Sequence, residues 1–226
     1  MGIPLPNPRY ERKFIATGFT VAEAVILVQR HPGAFREAYP ARTVNNIYLD
    51  SPFRTAYYDH INGVSNRIKH RVRWYGPLQG HISQPMLERK YKSGSMSGKD
   101  SQALASFQLN GQPVRSSLAA AFDRASLPEQ LRAELRLLEP CLLNQYRRHY
   151  FISADGKFRL TVDSDFKFAA AHSPYARITP GRSSLPSVVL ELKFEIQYAA
   201  QAEVVSNSLP MRMMRCSKFV LGIQSL

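Results

Sequence analysis

Lys69, Arg71 and Arg73 alternate along the stretch NRIKHRVRWY at 66–75. In an extended strand successive side chains point to opposite faces. These three cations therefore share one face, and Ile68, Val72 and Trp74 share the other. Cations recur at the same parity elsewhere: Lys13, Lys90 and Lys92, Arg148, Arg159, and Lys193. Glu11, Glu88, Asp163, Glu191 and Glu195 fall on the faces of those cations. Guanidinium groups grip phosphate oxygens in pairs, and ammonium groups act as point charges on them. A flat sheet would leave these groups in water. A closed antiparallel barrel of about eight strands turns them inward, around space for one small ligand. Cations facing one another repel and are costly to desolvate, so such a lumen is tolerable when a polyanion and a few carboxylates neutralise it. The pattern predicts a tunnel that binds a chain of phosphates.

The elements that must position these residues are legible along the chain. Residues 9–15 alternate as a short strand. Thr20-Val-Ala-Glu23 is a capping box that opens a helix running to about Arg30. Residues 43–50 form a strand, 54–61 a helical turn, and 84–92 the partner of the basic strand. Residues 93–101 (SGSMSGKDS) read as a flexible loop carrying Lys99. Residues 102–139 read as helical, with breaks near Gly111-Gln-Pro113 and Pro128. Two strands, 142–153 and 157–164, flank an Asp155-Gly156 turn. Residues 173–186 read as a Pro- and Ser-rich loop, 187–197 as a strand, and a short helix follows.

The bulk properties agree. The chain has 226 residues, 44% of them hydrophobic, which suffices for a core. A net charge of +13 implies an anionic partner. Cys141 and Cys216 make no disulfide framework, and a reducing compartment is expected. No signal peptide and no membrane-length apolar run is apparent. No internal repeat or linker appears, so residues 1–226 read as a single domain.

Several residues have a plainer reading. Arg12, Arg67, Lys157 and Lys167 are expected to face solvent. His60, His70, His149 and His172 show no metal spacing and default to surface or satisfied core. Tyr57, Tyr58 and Trp74 read as packing residues. Glu88 is open between salt-bridge partner and metal ligand.

RYERKF at 9–14, IYLDSPFRTAYYDHING at 47–63, RIKHRVRWYG at 67–76, LERKYKSG at 87–94, YRRHYF and DGKFRLTVDSDF within 146–166, VVLELKF at 188–194 and RCSKFVLG at 215–222 follow one another in a familiar order. Together they resemble the VTC domain, the polyphosphate polymerase branch of the triphosphate tunnel (CYTH-like) metalloenzymes. The resemblance implies an α+β fold, an eight-stranded antiparallel barrel with helices packed outside. It implies that Lys13, Arg71, Arg73, Lys90, Arg148, Arg159, Lys193 and Lys218 act on the phosphates. It gives Lys69, Lys92, Lys99, Tyr146, Arg215 and Ser217 a part in binding the chain. Glu191 is implied to hold a divalent metal, Mn²⁺ or Mg²⁺. The wider superfamily opens on two glutamates and a lysine; here that face is Arg9, Glu11, Lys13, so one carboxylate is replaced by a cation. Neither an SPX domain nor membrane helices accompany the domain, as in the freestanding bacterial form.

The implied activity is transfer of the γ-phosphate of ATP to a growing polyphosphate chain. A terminal phosphate is an anionic nucleophile that needs no general base, which suits a cationic tunnel. The alternatives are a metal-dependent triphosphate or polyphosphate hydrolase and a non-catalytic polyphosphate binder. Nucleic acid is not an expected partner, because aromatics do not interleave with the basic residues. A cytoplasmic location, ATP or inorganic polyphosphate as partner, and a membrane protein that accepts product complete the expectations.

Overall fold

The computed structural model describes residues 9–94, 96–110, 113–171, 179–180 and 187–226. The elements in order are β1 (Tyr10–Ile15), α1 (Val21–Gln29), β2 (Arg36–Asp50), α2 (Thr55–Ile61), β3 (Asn66–Tyr75), β4 (Gly80–Ile82), β5 (Met86–Ser93), β6 (Met96–Ala103) and β7 (Phe107–Leu109). There follow α3 (Val114–Arg124), α4 (Glu129–Arg136), β8 (Glu139–Ile152), β9 (Arg159–Ala170), β10 (Thr179–Pro180), β11 (Val188–Phe194), α5 (Ala199–Asn207), β12 (Arg212–Met213) and α6 (Lys218–Ser225). The Thr20 capping box is present, with the Thr20 amide donating to the Glu23 carboxylate at 2.8 Å. The Asp155-Gly156 turn joins β8 to β9; Gly156 has φ 74°, a left-handed conformation that glycine adopts without steric cost.

Two expectations change. Residues 93–101 are not a loop: β5 turns straight into β6, and Met86–Ser93 pairs with Met96–Ala103 in register. The Ser- and Gly-rich composition hides a strand that the adjacent edge holds by its backbone. Residues 102–139 are not helical throughout, since β6 runs to Ala103 and β7 pairs β4 before α3 begins. The loop expected at 173–186 lies outside the described residues except for Thr179–Pro180, which pairs with β9. His172 also lies outside them.

All strand pairs are antiparallel, and the main sheet runs β12-β1-β11-β9-β8-β2-β3-β5-β6. A fully closed barrel is not drawn by its ladders. Among the described residues the β1 and β6 edges meet at one isolated bridge, where Arg9 and Ser97 exchange backbone bonds of 3.0 and 3.2 Å. The free edge of β1 is taken instead by β12, which pairs Phe14 with Met213 and Ile15 with Arg212.

Side chains leave the sheet on two faces. The outer face carries two apolar clusters. One joins Ile47, Val72, Trp74 and Leu87 to Leu118, Leu131 and Leu135 of α3 and α4. The other joins Phe14, Leu160, Val162 and Leu190 to Val28 of α1 and Ala202 of α5. The inner face carries the charged rows. The α6 helix packs on that inner side: Phe219 and Ile223 are buried against Tyr48, Leu142 and Phe168. Gly222 makes this possible, because a Cβ there would lie 2.4 Å from a Leu142 methyl and 2.6 Å from the Phe168 ring. Burial of Phe219 contributes about 1.5–3 kcal/mol. It also fixes Lys218, the first residue of α6, against the inner wall. No helix among the described residues is long and apolar enough to cross a membrane.

Candidate functional site

The inner face surrounds a cavity of about 730 Å³. Strand parity delivers its walls: Lys13 from β1, Lys69, Arg71 and Arg73 from β3, Lys90 and Lys92 from β5, Tyr146 and Arg148 from β8, and Glu191 and Lys193 from β11. Arg215, Ser217 and Lys218 arrive from the segment that leads into α6. Glu11 and Glu191 are the acidic lining residues among those described.

The sheet register sets acids opposite bases. Arg148 stands opposite Asp163, Arg71 opposite Glu88, Lys13 opposite Glu191, and Glu11 opposite Lys193. Asp163 is fully buried. Arg148 grips it with Nε at 2.5 Å and Nη2 at 2.7 Å, and Lys218 Nζ lies 2.5 Å from its Oδ2. Burial would raise the Asp163 carboxyl, but Arg148 and then Lys218 hold it below the usual range. Glu88 is likewise held below the usual range, by Arg71, Arg73 and Lys99 against the effect of burial. Arg71 Nε donates to it at 2.7 Å and Lys99 Nζ at 2.7 Å. Of the two readings open for Glu88, the salt-bridge partner is what the geometry shows. Neither Asp163 nor Glu88 lines the cavity; each lies behind the wall and fixes the cations in front of it. Arg73 is aimed by Asn46 Oδ1 at 3.0 Å and the Tyr146 hydroxyl at 3.2 Å.

Glu11 and Glu191 form the other acidic centre. Lys90 Nζ contacts Glu11 at 2.7 and 2.8 Å, and Lys193 Nζ contacts Glu191 at 2.8 Å. Lys13 donates to the Cys216 carbonyl at 2.9 Å and lies 3.7 Å from Glu191. Burial and the neighbouring Glu191 push the Glu11 carboxyl up, but Lys90, Lys193 and Lys13 outweigh them and hold it at about 2. Glu191 is held well below its usual range by Lys193, Lys13 and Lys90 in spite of burial. No group of three or more His, Cys, Asp or Glu among the described residues could hold a metal ion. The two carboxylates repel each other, and hard oxygen donors suit Mg²⁺ or Mn²⁺, so the pair would suit one such ion if further oxygen donors completed its shell.

Three sequence assignments move. Arg159 is exposed at the first position of β9 and does not line the cavity, although it has the lumenal parity. Parity fixes the face, not the depth, and the strand begins at the rim. Lys99 lies on β6, about half exposed, as a partner of Glu88 rather than in a loop. Glu195 is exposed beyond the end of β11. Two residues read as solvent-facing do more. Arg67 lines the cavity. Arg12 bonds the Ala202 carbonyl at 3.0 Å and Ser206 at 2.9 Å, and so ties α5 to the outer face. His60 is another site residue that the sequence did not mark. It comes from α2, where strand parity says nothing, and its Nδ1 lies 2.8 Å from Lys69 Nζ.

An antiparallel sheet thus wraps about a lumen of lysines and arginines, with α1, α3, α4 and α5 on its outer face. The family model described as the VTC domain matches residues 8–226, and the chain belongs to that family. No curated protein sequence matches it. Solved structures share the fold at low identity. An adenylate cyclase candidate from Vibrio parahaemolyticus superposes with a TM-score of 0.54 at 11% identity, covering 94% of this chain and 96% of that one. The PH1819 protein from Pyrococcus horikoshii gives 0.52 at 12%, over 96% and 98%. An adenylyl cyclase candidate from Hippeastrum, described as having a dominant triphosphatase activity, gives 0.52 at 11%, over 96% and 95%.

Proposed function

We propose that the cavity binds a chain of condensed phosphates and transfers the γ-phosphate of ATP to its end, as a polyphosphate polymerase. One observation carries the reading. Each inner carboxylate, Glu11, Glu88, Asp163 and Glu191, is already ion-paired and held strongly ionised. None is poised to take a proton from water, because a carboxylate with a depressed pKa is a weak base. A phosphate chain end brings its own negative charge and needs none.

The residues divide the work. Arg71, Arg73 and Arg148 present guanidinium groups to phosphate oxygens, and Lys13, Lys90, Lys193 and Lys218 add point charges. Because Glu88 and Asp163 fix three of these side chains beforehand, little reorganisation accompanies binding. Glu191 and Glu11 would hold one divalent ion with phosphate oxygens, and that ion would neutralise charge on the transferring group and on the leaving diphosphate.

A hydrolase is the second reading. The Hippeastrum protein of the same fold is described as a triphosphatase. Lys69 is buried among cations that push its amine down to about 6, so a neutral amine capable of accepting a proton from water stands in the cavity. Incubation with ATP and Mn²⁺ or Mg²⁺, followed by sizing of the phosphate products, decides between the two. Polymer supports the polymerase, orthophosphate alone the hydrolase, and neither product a binding module.

A further inference from the structure

The wall of the cavity is not uniform. Arg71, Arg148 and Lys13 face carboxylates across the ladder, whereas Lys69 faces Lys90, and Lys90 in turn faces Lys99. Among the described residues the polar contacts of Lys69 are uncharged: His60 Nδ1 at 2.8 Å and Ser217 Oγ at 3.2 Å. Its Nζ also lies 5.2 Å from the centre of the Phe219 ring. The charges that act on it most strongly are cations: Lys13 of β1, Arg67 and Arg71 of β3, and Lys90 of β5. His60 meets Lys69, Arg67, Lys13 and Arg215. Asp59 acts on Arg67, and Glu11 acts on Lys90.

Burial, then repulsion by these cations, lowers the Lys69 amine to about 6 and the His60 imidazole to about 3. Both are therefore neutral near pH 7 in the empty cavity. An anion entering beside them reverses the balance, because a nearby opposite charge favours the protonated amine. Lys69 Nζ is already placed to donate to His60 Nδ1 and Ser217 Oγ as an ammonium, which leaves a further N–H for a phosphate oxygen.

We propose that this end of the cavity is a second phosphate subsite, apart from the Glu11–Glu191 centre, where His60, Arg67, Lys69 and Arg215 receive one phosphate group and Lys69 takes up a proton from solvent as that group arrives. The inference rests on the reading of the cavity as a condensed-phosphate site. It adds His60 and Arg67 to that site and makes part of its charge conditional on the ligand.

The test is calorimetric titration of the full chain with inorganic tripolyphosphate, without metal, in two buffers of different ionisation enthalpy. Near pH 7.5, wild type is expected to take up about one more proton per bound anion than Lys69→Arg, whose charge is permanent. Proton release by the ligand itself is common to both proteins and cancels in the difference. Over about pH 7 to 9 the wild-type affinity is expected to fall more steeply than that of Lys69→Arg, by up to roughly tenfold per pH unit. Lys69→Met, similar in length and neutral, lacks the same proton and serves if the arginine variant does not fold. Tight binding with equal proton counts and parallel pH profiles overturns the subsite while leaving the proposed function standing. Absence of binding by wild type overturns both.

Discussion

Where β8 meets β9, Arg148 stands opposite a fully buried Asp163, and Lys218 closes on the same carboxylate. Where β3 meets β5 and β6, Lys69, Lys90 and Lys99 stand in a row of like charge. Both rungs belong to one sheet and face one side of it. At the first, the acid fixes the cations before any ligand arrives, so their charge is permanent. At the second, burial pushes Lys90 down to about 8 in spite of Glu11, and burial with repulsion from neighbouring cations leaves Lys69 lower still. The difference teaches that a basic cavity need not be charged everywhere when empty. A binding wall can keep some of its cations fixed and let the ligand induce the rest.

The widest effect on the fixed half is expected from acid. The carboxyls of Glu11, Glu88, Asp163 and Glu191 all lie below their usual values in the folded chain. Between the folded and unfolded values the unfolded chain binds more protons, so stability rises with pH there. For Glu11 the contribution is complete above its unfolded value of about 4.5 and is lost as pH falls through about 2. Urea midpoints measured from pH 6 down to pH 2 should therefore fall steadily below about pH 4.5; a flat profile would break the claim that these acids hold the wall together.

Asp163→Ala comes next. It leaves Arg148 and Lys218 buried without their partner and is expected to cost about 3–5 kcal/mol in equilibrium unfolding. Glu191→Gln keeps shape but removes one of the two acidic lining groups among the described residues. Turnover with ATP and Mn²⁺ is expected to drop roughly 10²–10³-fold, while metal-free tripolyphosphate binding persists. Retention of normal metal dependence would place the ion elsewhere. Arg73→Ala should act on grip: tripolyphosphate affinity is expected to weaken by about 1.5–3 kcal/mol, read by calorimetry, because a charged hydrogen bond to the anion is gone. The smallest effect belongs to Arg159→Ala. That side chain is exposed at the rim, and its loss is expected to leave tripolyphosphate affinity unchanged within about 0.5 kcal/mol. A loss as large as that of Arg73→Ala would restore Arg159 to the site.

Much of the sheet was legible because its period is two. Lys69, Arg71 and Arg73 alternate with Ile68, Val72 and Trp74, and a core that buries one face leaves the cations no choice but the other. The β6 strand was not legible. SGSMSGKDS has turn composition, and what makes Met96–Ala103 a strand is the open edge of β5 beside it. Arg159 shows the same limit within the site, since its parity is right but it lies at the start of its strand, at the rim.

By itself the sequence determined the face of Lys13, Lys69, Arg71, Arg73, Lys90, Arg148 and Lys193, the capping of α1, the Asp155-Gly156 hairpin and the family, because each depends on neighbours in the chain or on motifs in a fixed order. The tertiary structure alone decided which charge meets which. Register set Arg148 against Asp163 and Lys69 against Lys90. Gly222 let α6 descend onto Leu142 and Phe168 and carry Lys218 to Asp163. The α2 helix brought His60 to Lys69. Those are contacts between residues far apart in the chain, and their energies depend on burial and distance, which no local pattern of residues encodes.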